Sequence, residues 1–362
     1  MTESIKATPT RLDIGDVGPG EMVLMRDVPQ DEFDSPDVDA GDLPGKVEMV
    51  RGRYKLPHPE TGKVQLFSRV STIARTIADT YHLDKWEGRM IAKGMGLRPD
   101  LAELTRSLDV TDDREELQKL AQQAKEAAGG SVGANMGTAL HKHCERMDGG
   151  EDVLAGRLPA KTRRDLEAYR EFLARKGIEI MPEYNERVVY TKASNSIGRI
   201  DRIAWDRELW PRPRIIDLKT QKDMKFGGLE ITSQQAMYGH ADYMWNERTA
   251  EWEPMPEVDT QTSIVIWLPV GKGFAQDFYV PIDKGWIDVK LALDVRTART
   301  RARNYLQPVP DDREYRLRLL RATSRQELSA VFSEAWNAGL WTDELKVIGL
   351  ARLSEIQKEI ES

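Results

Sequence analysis

Two short apolar runs, each with a single aspartate in its interior, constrain this chain more than any other feature. The first reads GRIDRIAWD from Gly198 to Asp206, and the second reads RIIDLKT from Arg214 to Thr220. A proline-broken turn, Leu209 to Pro213, separates them. Apolar density of this kind, punctuated by turn residues, predicts adjacent strands. An unpaired carboxylate inside such a strand is costly, so Asp201 and Asp217 require partners or a ligand. Lys219 follows Asp217 by two residues and therefore leaves the strand on the same face. Two readings stay open at this point. The residues form a strand-end salt bridge, or the carboxylates gather a hard divalent cation while Lys219 places a point charge beside a phosphate.

Upstream, GTALHKHCE from Gly137 to Glu145 predicts a helix opened by Gly137 and Thr138. It puts Leu140 and Cys144 on one face and His141 and Glu145, one turn apart, on another. An imidazole beside carboxylates suits Mn²⁺ or Mg²⁺, although a lone histidine is more often a satisfied core residue. Downstream, Gln234 and Tyr238 are four apart on a helix beginning at Thr232 or Ser233, hence stacked on one face. They could hydrogen-bond phosphates, stack on a base, or belong to a half-buried amphipathic face. Glu186 lies in a strand expected over 179–191, next to strands over 197–206 and 213–220. Arg296, Arg299 and Arg303 line one side of a helix from Trp286 to Leu306, as phosphate contacts or as a solvated face.

The net charge of −7 argues against nucleic acid until its distribution is read. Residues 1–45 alone carry eleven acids against three bases, so the remainder is close to neutral and free to focus positive charge locally. That segment is too poor in apolar surface to fold alone and reads as an acidic disordered tail. From Val47 a hairpin is expected, then a helix capped by Ser71, then helices to Ala128 with a break near Val110. An amphipathic helix covers 161–176, and a hairpin turns at Gly271–Gly273. Gln307 to Asp312 reads as a linker, and residues 313–362 as a helical appendix with a Ser324/Glu327 capping box stopped by Gly339. No apolar run approaches the ~20 residues that span a bilayer, so no membrane partner is expected and a cytoplasmic location is. The single cysteine, Cys144, excludes an internal disulfide framework and reads as a small buried hydrophobe.

Taken together and in this order, these motifs resemble the RecB-type branch of the PD-(D/E)XK nucleases, which includes phage-encoded and CRISPR-associated exonucleases. GTALHKHCE is similar to the family's G-x-x-x-H-x-x-x-E motif, which implies a metal role for His141. GRID is similar to G-x-x-D and implies a metal and catalytic role for Asp201. IIDLKT is similar to D-x-K and implies metal and catalytic roles for Asp217, a catalytic role for Lys219 and a further metal contact from the Leu218 carbonyl. QQAMY is similar to Q-x-x-x-Y and implies a DNA-side role for Gln234 and Tyr238. Glu186 and Glu145 stand behind these as second-tier candidates.

The likeness covers roughly residues 130–282. It implies an α/β, restriction-endonuclease-like fold, with a mixed central sheet flanked by helices and the site at the sheet's split edge, within a nuclease domain over 46–306. The implied cofactor is Mg²⁺ or Mn²⁺, and the implied partners are DNA ends or single strands and a single-strand annealing or recombination protein. Several relatives hold an iron–sulfur cluster on four cysteines, which one cysteine cannot do. Helicase motifs are also missing. The expectation is therefore a stand-alone phage-type DNA exonuclease in recombination or DNA processing, located in the host cytosol if phage-encoded. A catalytically silent DNA-end scaffold and a structure-specific endonuclease are the alternatives.

Overall fold

A computed structural model describes residues 43–306 and 311–361. All but the last three residues of the expected acidic tail, and most of the expected linker, lie outside the described residues. The chain divides into two compact units, Met1–Ala292 and Leu293–Ser362. The first unit is mixed α/β, and the second is helical.

The first unit opens with strands Glu48–Val50 (β1), Arg53–Pro57 (β2) and Val64–Arg69 (β3). The expected hairpin is β2–β3, and β1 joins it through a tight turn in which Arg51 and Gly52 both have positive φ. Helices Val70–Ala74 (α1), Tyr81–Leu97 (α2), Pro99–Leu104 (α3) and Arg114–Ala127 (α4) follow. Ser71 falls inside α1 rather than capping it. The predicted break near Val110 is present, because the Asp109 carboxylate accepts the N–H groups of Thr111 and Asp112 and turns the chain.

Helices Val132–Asp148 (α5) and Ala160–Lys176 (α6) come next. Helix α5 begins five residues before the predicted Gly137 start. Gly137 instead lies inside the helix, where a Cβ would sit 2.5 Å from Thr220 Oγ1. The remaining elements of this unit are Glu179–Ile180 (β4), Val188–Thr191 (β5), Ser196–Arg199 (β6), Arg202–Trp205 (β7), Arg214–Lys219 (β8), Gly228–Gly239 (α7), Tyr243–Asn246 (β9), Glu251–Pro254 (β10), Thr262–Trp267 (β11) and Gln276–Pro281 (β12). Helix Ile282–Arg301 (α8) carries the boundary between the units. Helix α7 starts at Gly228, a turn earlier than expected, because Gly227 at φ 86° supplies the left-handed entry.

A single central sheet was expected; the described residues form two. One has strand order β1-β2-β3-β6-β5-β9-β10, and the other β12-β11-β8-β7-β4. Each is mixed, with a parallel pair, β3·β6 in the first and β8·β11 in the second, among antiparallel ones. The hairpin β9–β10 had no counterpart in the sequence reading. Helices α5 and α6 cover one face of the five-stranded sheet. Leu140, Cys144, Leu166, Tyr169 and Phe172 pack there against Ile216, Leu218, Ile264 and Ile266. Cys144 is fully buried, and burial pushes its thiol pKa up.

Two strands predicted as continuous are each broken between the sheets. Residues 179–191 split into β4 and β5, and residues 197–206 into β6 and β7. They run side by side as one bent hairpin, with β4 on β7 in the five-stranded sheet and β5 on β6 in the seven-stranded one. From the Glu179↔Trp205 pair to the Val188↔Arg199 pair the chain takes nine steps on one side and six on the other. The three extra residues form the 3-10 turn Pro182–Tyr184. This insertion bends the hairpin as a bulge does.

The second unit contains Arg313–Arg321 (α9), Arg325–Asn337 (α10) and Asp343–Glu361 (α11), around a core of Leu319, Leu328, Val331, Ala335, Leu345 and Ile356. Ser324 Oγ caps α10 by accepting from Glu327 N. The Glu327 carboxylate returns to Thr323 N, one residue before the position a capping box uses.

Gly198 on β6 packs closely under α7 and α1. A Cβ there would lie 2.5 Å from Tyr238 Cε1 and 2.9 Å from Val70 Cβ. Gly198→Ala is expected to cost about 1–3 kcal/mol by overpacking. Urea unfolding would show it as a lower midpoint at unchanged slope.

Candidate metal centre

The centre lies where the bent hairpin changes sheets. Between the two ladders, Glu186 N donates to Asp201 O at 3.0 Å and Ile200 N donates to Arg187 O at 3.0 Å. Glu186 and Asp201 are therefore directly opposite, and their side chains are cross-strand neighbours. Glu186 has φ 52°, a left-handed conformation that a glutamate adopts at a cost. The bend holds it there.

Strand β8 meets the same crossing from its other side. Its antiparallel ladder with β7 ends at Arg202↔Ile216, because the chain beyond Arg202 belongs to the other sheet. The next rung would engage Leu218 N. The Asp201 side chain takes that role, with Oδ2 accepting from Leu218 N at 2.8 Å. The sheet thus forks at Asp201, and a carboxylate replaces the missing strand. Leu218, expected to contribute its carbonyl, also meets the site through its N–H.

His141 closes the group from α5. Its Nε2 lies 3.3 Å from Glu186 Oε1 and 3.5 Å from Asp201 Oδ2. One ligand atom from each of His141, Glu186 and Asp201 falls within 4.8 Å of the others. Burial alone would lower the His141 pKa, but the contact with Glu186 and the charge of Asp201 outweigh it and raise it above 6.5. His141 Nε2 is nevertheless buried without an aligned hydrogen-bond partner.

Asp217 and Lys219 flank this trio. Asp217 is nearly inaccessible, and burial drives its carboxyl pKa up against the opposing charge of Lys219. Lys219 Nζ lies 2.6 Å from Asp217 Oδ2. Burial works against the ammonium, yet Asp217 and Asp201 together raise its pKa. Lys219 is therefore a fixed cation at the fork. Glu145, one turn beyond His141 on α5, is half-buried; desolvation raises its pKa, and the charge of Glu186 adds to that.

Sequence reasoning missed the group behind the centre. Arg202 is 1% exposed, with Nε 2.5 Å from Asp148 Oδ2 and Nη1 3.9 Å from Asp201 Oδ2. Tyr169 OH donates to Asp148 at 3.0 Å, and its ring lies 5.8 Å from the guanidinium. A buried positive charge thus backs the carboxylates from inside the protein. The signal was present: Arg202 lies between Ile200 and Ile203 and shares its strand face with Ala204, all three fully buried.

The remaining candidates are placed as follows. Gln234 Nε2 donates to Tyr238 OH at 3.0 Å, and Tyr238 is 4% exposed beneath Gly198. That leaves no ring face for a base, so the pair supports β6 from below. Arg296, Arg299 and Arg303 belong to the second unit.

No family model and no curated protein matches this chain.

The residues present suit a hard or borderline divalent cation. Adjacent ligands of an octahedral ion with ~2.1 Å bonds lie about 3 Å apart, close to the observed 3.3 and 3.5 Å. The unaligned imidazole nitrogen facing two carboxylates is what such an ion would satisfy. Asp201→Asn keeps an acceptor for Leu218 N while removing a charge. Calorimetry should show Mn²⁺ affinity falling by about tenfold or more, with the thermal midpoint little changed. Because a protonated His141 cannot ligate, wild-type Mn²⁺ affinity should be flat above the raised His141 pKa. Below it, affinity should fall by about tenfold per pH unit.

Proposed function

We propose that this chain is a divalent-metal-dependent deoxyribonuclease built on a restriction-endonuclease-like core of the PD-(D/E)XK type, acting on DNA ends. The observation carrying this reading is the fork at Asp201, which gathers the His141–Glu186–Asp201 trio beside the Asp217–Lys219 pair. Three sequence motifs that resemble one nuclease branch thus meet at one point in space.

His141, Glu186 and Asp201 would hold Mg²⁺ or Mn²⁺, with Asp217 approaching from β8. The imidazole favours Mn²⁺ over Mg²⁺. When bound, the ion supplies Lewis-acid polarisation of the phosphate and a lowered pKa for water. Lys219, kept protonated by Asp217 and Asp201, stabilises the negative charge that grows on the phosphoryl oxygens. Asp217 fixes the position of that ammonium. The Leu218 N–H fixes the Asp201 carboxylate, and Arg202, held by Asp148, adds a buried positive charge nearby, so little reorganisation is needed during the reaction. The preference for ends follows from the resemblance, and from it too comes the setting of phage-type recombination or DNA processing.

The test is cleavage of 5′- and 3′-labelled linear DNA and of closed circular DNA with Mg²⁺ or Mn²⁺. Linear substrate should be degraded and the circle spared. Asp217→Ala and Lys219→Ala should each reduce the rate by about 10²–10³-fold or more. Activity that survives both substitutions would sink the site assignment. Cutting of the circle would make the protein an endonuclease, and tight end binding without cleavage would make it a scaffold.

A further inference from the structure

The loop over 220–227 joins Lys219 to α7 and carries Phe226 to the surface. Phe226 meets the start of α2 there. The His82 and Phe226 ring centroids are 5.4 Å apart, and those of Tyr81 and His82 are also 5.4 Å apart. The three rings form one edge, with Tyr81 61% and Phe226 62% exposed. Beyond touching His82 these two rings stay mostly exposed, which is unusual for a row of aromatics that serves packing alone.

Lysines and acids both stand in the segments that carry these rings. Lys85 Nζ lies 5.7 Å from the Tyr81 ring centre, and the loop adds Lys222 and Lys225. The neighbouring acids are each drawn onto a local, uncharged donor. Asp79 accepts from Tyr81 N at 3.0 Å, Asp84 from Thr80 Oγ1 at 3.0 Å and Asp223 from Lys225 N at 3.1 Å. Among the described residues, none of the three lysines is in an ion pair.

The loop that carries Phe226 also links this edge to the candidate centre along the chain. The loop starts at Thr220, in contact with Gly137 one turn before His141. It ends at α7, whose Glu230 pairs with Arg75 at 2.8 Å and acts electrostatically on Lys219.

We infer that the Tyr81–His82–Phe226 edge is a stacking platform for unpaired bases of single-stranded DNA, whose phosphates meet Lys85, Lys222 and Lys225. Aromatic rings stack on any base whose face is free, and a closed duplex offers none. As a description of substrate choice this rests on the nuclease reading, but the binding itself is measured separately.

Fluorescence anisotropy of the full chain in EDTA, with a labelled single strand of about 12 nucleotides and its blunt duplex, tests it. The double variant Tyr81→Ala/Phe226→Ala should lose about 10–100-fold in single-strand affinity, and duplex affinity should change less than about twofold. Tyr81→Phe should bind the single strand like wild type, and thermal melting of all variants should match it. Unchanged single-strand affinity in the double variant, or an equal loss on duplex, would overturn the platform. Tighter binding of RNA of the same sequence would overturn DNA as its occupant. Because no metal is present, a protein that cleaves nothing yet needs both rings to hold single strands would remove only the nuclease reading.

Discussion

One strand cannot serve two sheets at the same residue, and this limit organises the first unit. When the chain leaves β7 for β6, the N–H of Leu218 loses the backbone carbonyl that would have paired with it. An unsatisfied buried donor costs about 1–3 kcal/mol. The Asp201 carboxylate removes that cost and in doing so is pinned at the fork between β7 and β8. Glu186 is pinned by the same event, since its N–H bonds the Asp201 carbonyl across the bend. His141 needs only to reach inward from α5 to complete the group.

Gathering carboxylates in a half-buried fork is unfavourable without positive charge. Two cations answer it from opposite directions. Lys219 stands within the fork, paired with Asp217. Arg202 stands behind it, fully buried and tied to Asp148, which Tyr169 holds in turn. A buried ion pair of this kind gives little net stability, and losing one partner is costly. Its evident product here is position: a fixed, buried guanidinium stands 3.9 Å from the same Asp201 oxygen that His141 approaches to 3.5 Å. The strained φ of Glu186 is of the same character, a local cost maintained because the bend dictates it.

Legibility in the sequence tracked the range of the interaction involved. Asp201, Asp217 and Lys219 stood out because carboxylates interrupt apolar runs, and local pattern alone reports that. Helix α6, the hairpin β11–β12 and the small helical unit followed from periodicity and turn residues in the same way. Glu186 was visible only as an acid near the other strands. Its meeting with Asp201 depends on the three-residue insertion at Pro182–Tyr184, which sets the register of the hairpin across the bend. Tyr238 read as a DNA-facing residue because helical spacing with Gln234 specifies a shared face but not what covers it. Gly198 covers it, since only a residue without Cβ lets the ring approach that closely.

By itself, then, the sequence determined the chemistry available: carboxylates, an imidazole and a lysine, on strands and a helix whose apolar periods are unambiguous. The α/β class and the helical character of the C-terminal residues were determined there too, because both are sums of local preferences. The tertiary structure decided that there are two sheets rather than one, that Asp201 lies at their fork, and that Glu186 and the buried Arg202 attend it. The reason is physical. Ladder pairing and its interruption are contacts between residues distant in the chain, and alternation along one strand looks the same whether that strand stays in its sheet or crosses to another.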